Sequence, residues 1–185
     1  MTGRAGYPWF AEIQGDVLEQ GDLLMNCPIF VAPDDLNIDA LEREGSDDPL
    51  QRVTFEFRRF DVIIISQSCD LANNKLREVL LCPLFKHADY EEGPLSQRRE
   101  WENARMGRFP AYHVINACEL PGHESEARIV DFKRVFSLPI GFLRNFAGRR
   151  GSRVRLMPPY REHLSQSFAR YFMRVGLPVD IPPFK

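Results

Sequence analysis

The chain contains no long hydrophobic run, and this absence is the first constraint on its class. None of its 185 residues lies in an uninterrupted apolar segment of about eighteen residues, so no membrane-spanning helix is predicted. The first sixteen residues also lack the apolar core of a signal peptide, because Pro8 and acidic residues interrupt them. The sequence therefore predicts a cytoplasmic protein without a membrane partner.

Motifs for metal, nucleotide and redox chemistry are absent as well. The chain has no C-x-x-C pair, no H-x-x-x-H or H-E-x-x-H spacing and no glycine-rich phosphate-binding loop. We therefore expect no metal and no cofactor, and we expect the cysteines to be free thiols. Cys82 lies in an apolar run and is predicted to be a small buried hydrophobe.

The composition is that of an ordinary globular protein, but the charge is unevenly distributed. A hydrophobic content of 44% and a length of 185 residues predict a single domain over 1–185. Residues 1–127 hold 12 basic and 23 acidic residues, whereas residues 128–185 hold 12 and 3. This asymmetry has two interpretations. Either it predicts a basic surface that binds nucleic acid or an acidic partner, or the two parts neutralise each other within one domain. The acidic segment 32–52 is expected to be a mobile loop.

Residues 61–85 form the stretch around which the chain is organised. Two short apolar runs, 62–65 and 79–84, are typical of strands buried on both faces. Between them lies the polar connector SQSCDLANNKLRE, which makes the two strands a β-hairpin or a meander pair whose connector could carry a site.

The remaining elements predict a mainly β protein with peripheral helices, of the α+β class. Residues 1–20 are expected to be a short helix or irregular, and a first strand over 23–31 is interrupted near Pro28. Further strands are predicted at 53–60, 112–115, 129–138 and 153–157, and helices at 94–106 and 139–146. The clearest helix covers 160–175, where an apolar stripe ending at Phe172 and Val175 precedes Gly176.

Two groups of basic residues are candidates for binding nucleic acid. Arg58 and Arg59 stand in the strand over 53–60, whose alternating phenylalanines are predicted to face the core. Arginines beside aromatic residues are also typical of surfaces that bind single strands. His163, Arg170 and Arg174 follow one edge of the last helix, where they form either a cationic strip for phosphates or an ordinary solvated face.

The order of these segments resembles the MazF/PemK family of toxin endoribonucleases, which have a small SH3-like β-barrel with short helices. The resemblance covers residues 21–178 and rests on these segments: GDLL from Gly21, RRFDVIIIS, the loop with Asn73 and Asn74, CPLF from Cys82, IVDFKRVFSLPIGFL and YREHLSQSFARYFMRVGLP. It implies an SH3-like, MazF-type barrel with an amphipathic C-terminal helix, and a toxin–antitoxin or phage-defence setting.

The chain departs from the family at the positions that cleave RNA. Phe60 and Asp61 stand where the family has Arg-Pro, and Phe85 stands where it has a catalytic threonine. A phenyl ring can neither donate a hydrogen bond to a phosphate nor transfer a proton. The resemblance therefore implies a scaffold that binds RNA or a protein, that could pair with a second copy of itself, and that has lost the family's chemistry.

The segment Ser66-Gln67-Ser68-Cys69-Asp70 is the best local candidate for a site. Cys69 could act as a nucleophile if His113 or His163 approached it, but the adjacent carboxylate opposes thiolate formation. The favoured alternative is a packed Cys69 with Asp70 capping a turn or helix, and with the neighbouring amides available for recognition.

The leading hypothesis from the sequence is a regulatory module that binds RNA or a protein. Its first alternative is an endoribonuclease with a rearranged site. Its second alternative is a Cys69-dependent enzyme. The candidate catalytic residues are Arg59, Ser66, Ser68, Cys69, Asp70 and His163, and the candidate binding residues are Arg58, Arg59, Gln67, Asn73, Arg170 and Arg174.

Overall fold

The computed structural model describes residues 6–31, 57–86, 89, 95 and 97–173. It has mixed α+β structure in which strands predominate, as the sequence predicts. The strands of the described part are β1 (Phe10–Gln14), β2 (Leu23–Phe30), β3 (Phe57–Ile64), β4 (Glu78–Lys86), β5 (Tyr112–Ile115), β6 (Arg128–Asp131), β7 (Phe136–Pro139) and β8 (Ser152–Leu156). Its helices are α1 (Ser68–Ala72), α2 (Arg98–Arg105), α3 (Ile140–Arg150) and α4 (Tyr160–Phe172).

The strands form two antiparallel sheets. The larger has the order β2-β3-β4-β6-β5, and the smaller pairs β1 with β8. Strand β4 is central because it is long enough to pair with three other strands. Residues 81–84 pair with β3, while on its other edge residues 78–81 pair with β7 and residues 84–86 pair with β6. The predicted pair of strands around the polar connector is thereby confirmed.

Gly21 joins the two sheets. Its N–H donates to the Ile64 carbonyl and its own carbonyl accepts from the Leu156 N–H, both at 2.9 Å. A Cβ atom at this position would stand 3.1 Å from Leu156 Cβ, and the φ angle of +84° lies in the left-handed region. Only glycine lets β8 approach this closely without strain.

Alternation along the strands divides the buried side chains between two main cores. Ile63, Cys82 and Leu84 face the first core, which also contains Phe132 and Leu164. The neighbouring residues Val62, Ile64 and Leu81 face the second core, where Leu143 and Ala147 of α3 cover them. The predicted burial of 62–65 is confirmed, since these residues are at most 4% exposed. A third, smaller core packs α2 against β5 and β6 through Leu95, Ala104, Tyr112 and Ile129.

Several predicted strand boundaries are wrong. Residues 10–14 form β1 rather than a helix or irregular lead-in, because their backbone pairs with β8. The irregularity in β2 lies between Leu24 and Cys27, where Asn26 has a φ of 53°, and Pro28 itself pairs with Arg59. The segment 129–138 contains two strands separated by a turn, so β6 and β7 pair with different halves of β4.

The helix predictions hold better, with corrections at the ends. Gly107, with a φ of 70°, follows α2 as predicted, and α3 continues past residue 146 to Arg150. On α4 the apolar stripe packs Leu164, Phe168 and Tyr171 on the first core, but Phe172 is 59% exposed. The residues predicted to extend and end this helix lie outside the described residues, as do the acidic segment 32–52 and residues 53–56.

Candidate nucleic-acid interface

The Cys-Asp segment begins the short helix α1. Cys69 is exposed rather than packed, and its Sγ lies 3.7 Å from Asp70 Oδ1. The N-cap residue is Gln67, and no side-chain hydrogen bond caps the helix, so the predicted capping role of Asp70 is wrong. Asp70 instead lies 3.8 Å from Lys75 Nζ in an exposed pair of little energetic weight. Asn73 Nδ2 donates to the Cys69 carbonyl at 2.6 Å, which ties the amide to its own helix.

The hydroxyl groups of both serines in this segment accept hydrogen bonds from backbone N–H groups. Ser66 Oγ accepts from the Leu80 N–H at 2.8 Å, and Ser68 Oγ accepts from the Gln20 N–H at 3.1 Å. These bonds hold the connector against β4 and against the chain that leads into β2. The serines therefore have a structural task that the sequence pattern did not indicate.

The histidines proposed as bases lie on the opposite side of the sheet from Cys69. Helix α1 packs through Leu71 in the second core, whereas His113 stacks on Phe132 in the first core. Burial, with a smaller contribution from His163, lowers the pKa of His113 to about 4. His163 is exposed on α4, with its ring 6.4 Å from that of Tyr160. The structure thus does not bring Cys69 together with either predicted base.

Arg59 is separated from the other candidate catalytic residues by the length of β3. Arg59 lies near the start of this strand, and Ser66 follows its end. At roughly 3.3 Å per residue, their backbones are about 20 Å apart. The rearranged ribonuclease site would need Arg58 or Arg59, Ser66 or Ser68, and His163 in one place, and this structure does not bring them together.

Near the start of β3, an exposed aromatic group corrects the sequence prediction. Phe57, predicted to face the core, is 52% exposed, and its cross-strand neighbour Phe30 is 56% exposed. Their rings meet edge to face at 6.4 Å, and the Arg59 guanidinium lies 5.4 Å from the centre of the Phe57 ring. We call Phe30, Phe57 and Arg59 the aromatic platform. Arg58 is also exposed, on the alternate position of the same strand.

The bulge at Asn26 fixes the platform to the neighbouring charged residues. The Asn26 carbonyl accepts from Arg59 Nη1 at 3.2 Å, and its N–H donates to Asp61 Oδ1 at 2.9 Å. Asp61 Oδ2 in turn accepts from Arg128 Nη1 at 2.6 Å. In β4 and β6, Lys86 stands directly opposite Arg128. By the alternation of side chains along the strands, Arg59, Lys86 and Arg128 therefore lie on the same side of the sheet as Asp61, beyond the first core.

Other arginines of the basic C-terminal third are used inside the protein. Arg153 Nε donates to Asp22 Oδ2 at 2.9 Å, and Arg155 Nε donates to Asp22 Oδ1. Glu19 accepts from Arg155 and from Arg161. We call Asp22, Glu19, Arg153, Arg155 and Arg161 the closed network. Together with Asp61–Arg128, these pairs join the acidic and basic parts of the chain, so much of the charge asymmetry is neutralised internally.

The remaining predicted binding residues are scattered. Arg170 is exposed on α4, Gln67 is exposed at the start of α1, and Arg174 lies outside the described residues. Sequence reasoning missed Phe30, Asn26, Lys86 and Arg128. Phe30 ends a strand with no basic neighbour, and Arg128 is 67 positions away from the carboxylate with which it pairs.

Comparison of the chain with models of known protein families and with curated proteins gives no match in either case. Within the described residues, no group of three or more histidine, cysteine, aspartate or glutamate side chains could hold a metal ion. In the same part of the chain, the helices are too short or too polar to cross a bilayer.

Proposed function

We propose that this chain is an SH3-like, MazF-type barrel that binds single-stranded RNA at the aromatic platform without cleaving it. The joining of the two sheets at Gly21 supports the barrel, since it gives a continuous strand order β1-β8-β2-β3-β4. The resemblance to the toxin family supports a regulatory role in a toxin–antitoxin or phage-defence system. Phe60 and Phe85, which stand at the family's cleavage positions, favour binding over cleavage.

The observation that carries the proposal is the exposure of two phenylalanines beside an arginine. Large apolar rings are usually buried, and a pair of them on one surface marks an interaction site. Phe30 and Phe57 offer faces or edges on which bases can stack, and Arg59 adds a positive charge that the bulge at Asn26 holds in place. Base stacking on aromatic rings with nearby arginines is the common mode of sequence-tolerant single-strand binding.

The charges next to the platform favour a polyanion over an acidic protein surface. Arg58, Arg59 and Lys86 are exposed, and the two carboxylates described beside them are already engaged: Asp61 accepts from Arg128 and Asn26, and Asp89 accepts from the Lys86 N–H. Phosphates spaced along a strand can contact such separated cations while the bases reach the rings. A protein partner would instead cover the two rings in an apolar interface.

Binding is tested by fluorescence anisotropy with a labelled, unstructured oligouridine of about 12 nucleotides, a length typical of single-strand sites. We expect Phe57→Ala and Phe30→Ala each to weaken binding by roughly 5- to 100-fold, since each ring stacks about one base. Phe172→Ala is the matched control, because Phe172 is equally exposed but lies on α4. Arg59→Ala should also weaken binding, with Arg99→Ala on α2 as its control.

Three outcomes would contradict this proposal. The first is an absence of oligonucleotide binding by the unmodified protein, which would leave the platform as a surface for a protein. The second is equal loss of affinity in the Phe57 and Phe172 variants, which would show that exposed rings act without regard to position. Intact oligonucleotide after prolonged incubation is also expected, and cleavage abolished by Arg59→Ala would establish the ribonuclease alternative.

A further inference from the structure

A cavity of about 300 Å³, within the size range of small-ligand sites, is lined by residues of β2, β8 and the C-terminal half of α3. Leu23, Cys118 and Val154, all buried side chains of the first core, form part of its wall. The polar part of the wall includes Arg128, Arg150 and His123. The segment that carries His123 is held in place by paired backbone bonds of 2.9 Å between Cys118 and Ser125. The cavity is therefore built by fixed elements of the fold.

Arg128 has an unused donor in the wall of this cavity. Its side chain is buried, with 7% of the residue exposed, and Nη1 donates to Asp61. Its Nε is buried and has no hydrogen-bond partner. Buried N–H groups, and those of charged groups most of all, are normally satisfied. This nitrogen is itself closed to solvent, so it is the positive charge of the guanidinium group in the wall that suits the cavity to a ligand with a strong acceptor.

The other polar groups of the cavity indicate the charge of that ligand. The Arg150 guanidinium packs over the Phe146 ring at 5.0 Å, and both residues line the cavity. His123 Nε2 lies 3.1 Å from Ser152 Oγ and 3.6 Å from Glu12 Oε1. Because both contacts involve the same nitrogen, this trio lacks the arrangement of a serine-histidine-acid triad, in which the two ring nitrogens have different partners. Arg128, Arg150 and Arg153 line the cavity, whereas Glu124 is the one acidic residue of its described wall, so the balance of charge favours an anion.

We propose that the cavity binds a phosphate monoester, namely the phosphorylated end of the strand held on the aromatic platform. This inference rests on the proposed function. Asp61 connects the two places, since it accepts from Arg128 in the cavity wall and from Asn26, which accepts from Arg59 of the platform. An internal phosphodiester would need an exit for the chain on both sides, whereas buried residues of the first core close one side of the cavity. A terminal phosphate needs only the open side.

The test compares labelled oligouridines that carry a phosphate at the 5′ end, at the 3′ end or at neither. We expect one phosphorylated form to bind about 10- to 100-fold more tightly than the unphosphorylated form, as a charge-assisted contact to arginine allows. Arg150→Gln and Arg128→Gln should remove this advantage. Arg149→Gln, which changes the adjacent exposed arginine of α3 that does not line the cavity, should keep it. Phe57→Ala should weaken both forms equally.

The outcomes separate this inference from the proposed function. Equal affinities for all three oligouridines would overturn the terminal-phosphate site while leaving single-strand binding intact. Failure of every oligouridine to bind would overturn both, and titration with inorganic phosphate and uridine monophosphate would then identify a site for free phosphate compounds. An advantage that persists in Arg150→Gln would also overturn the inference. If Arg128→Gln does not fold, Arg150→Gln carries the test, because Arg150 is exposed.

Discussion

Two clusters of arginines in this protein differ in how completely their donors are used. In the closed network, Arg153 and Arg155 donate to Asp22, and their remaining donors reach Glu19 and the backbone carbonyls of residues 15 and 17. Beside the platform, Arg128 has one carboxylate partner and a buried Nε without any. Arg59 has a single backbone acceptor, and Lys86 is exposed.

The difference shows that the acceptors around an arginine, rather than the arginine itself, decide between a structural and a binding role. Asp22 is fully buried and lies between two guanidinium groups, so the charges of the closed network satisfy one another. Among the described residues, the cations beside the platform outnumber the carboxylates there, Asp61 and Asp89. A ligand that supplies acceptors can therefore form there the charge-assisted hydrogen bonds that the closed network already forms internally.

The largest effect is expected from breaking the closed network at its centre. Asp22→Asn keeps the shape of the side chain but leaves Arg153 and Arg155 buried without a carboxylate between them. Loss of one partner from a buried ion pair typically costs about 3–5 kcal/mol. Chemical denaturation measures this loss, and Glu162→Gln, at an exposed pair with Arg161, is the control. A loss for Asp22→Asn as small as that of the control would mean that the network contributes little to stability.

The next largest effect is expected when the buried ring of His113 takes up a proton as the pH falls. Burial lowers the pKa of His113 to about 4 from an ordinary value of 6.5. Above pH 6.5 neither the folded nor the unfolded state binds this proton, whereas between pH 6.5 and 4 the unfolded state binds it first. The free energy of unfolding should therefore fall over this window, by up to about 3 kcal/mol at its acidic end.

Denaturation curves at several pH values for the unmodified protein and for His113→Gln measure this contribution. The variant should lose less stability than the unmodified protein between pH 6.5 and 4. Parallel pH profiles would show that folding does not lower the pKa of His113. His163→Gln measures the smaller contribution: because the charge of the exposed His163 also acts on His113, its removal should reduce the loss of stability only slightly.

The salt concentration should change RNA affinity, which depends on the cations beside the platform, much more than stability, which depends on the closed network. If the strand contacts about three cations near the platform, its affinity should fall roughly tenfold or more between 50 and 200 mM salt. Stability should change little over the same range, because the buried pairs of the closed network are weakly screened. Anisotropy titrations and denaturation curves in matched buffers measure the two quantities. An affinity that does not depend on salt would contradict binding by these cations.

The smallest effect is expected at the exposed pair on α1. Asp70→Asn removes an ion pair with Lys75 whose atoms are 3.8 Å apart in solvent, so stability should change by less than about 1 kcal/mol. RNA affinity should not change, because α1 lies at the opposite end of β3 from the platform. A large loss of affinity in this variant would move the binding site to the Cys-Asp segment.

Much of the architecture follows from the local sequence. The apolar runs at 62–65 and 79–84 have no charged position on either face, which predicts burial on both sides. All of 62–65 is buried, and so is the run at 79–84 except for Leu80, which is 39% exposed. Gly107 after α2 and the stripe of α4 are also local signals. The β1 strand could not be predicted in this way, since its partner β8 lies some 140 positions away in the chain.

The sequence predicted only part of the candidate site. Arg58, Arg59 and the aromatic alternation predicted a single-strand surface, but alternation alone places Phe57 in the core. Period two fixes which residues share a face, and it does not fix where along a strand the core ends. Strand β3 continues past the core with Phe57 opposite Phe30, so both rings reach solvent.

The sequence by itself determined the class of the fold, the central pair of buried strands and the arginine-rich composition. Hydrophobic periodicity and the steric properties of glycine are local, and they act before any distant contact forms. Only the tertiary structure decided which arginines are neutralised and which keep free donors. Asp22 meets Arg153 and Arg155 more than 130 positions away, whereas Arg128 meets a single carboxylate and an open cavity. Electrostatic pairing depends on distance in space, which the order of residues does not specify.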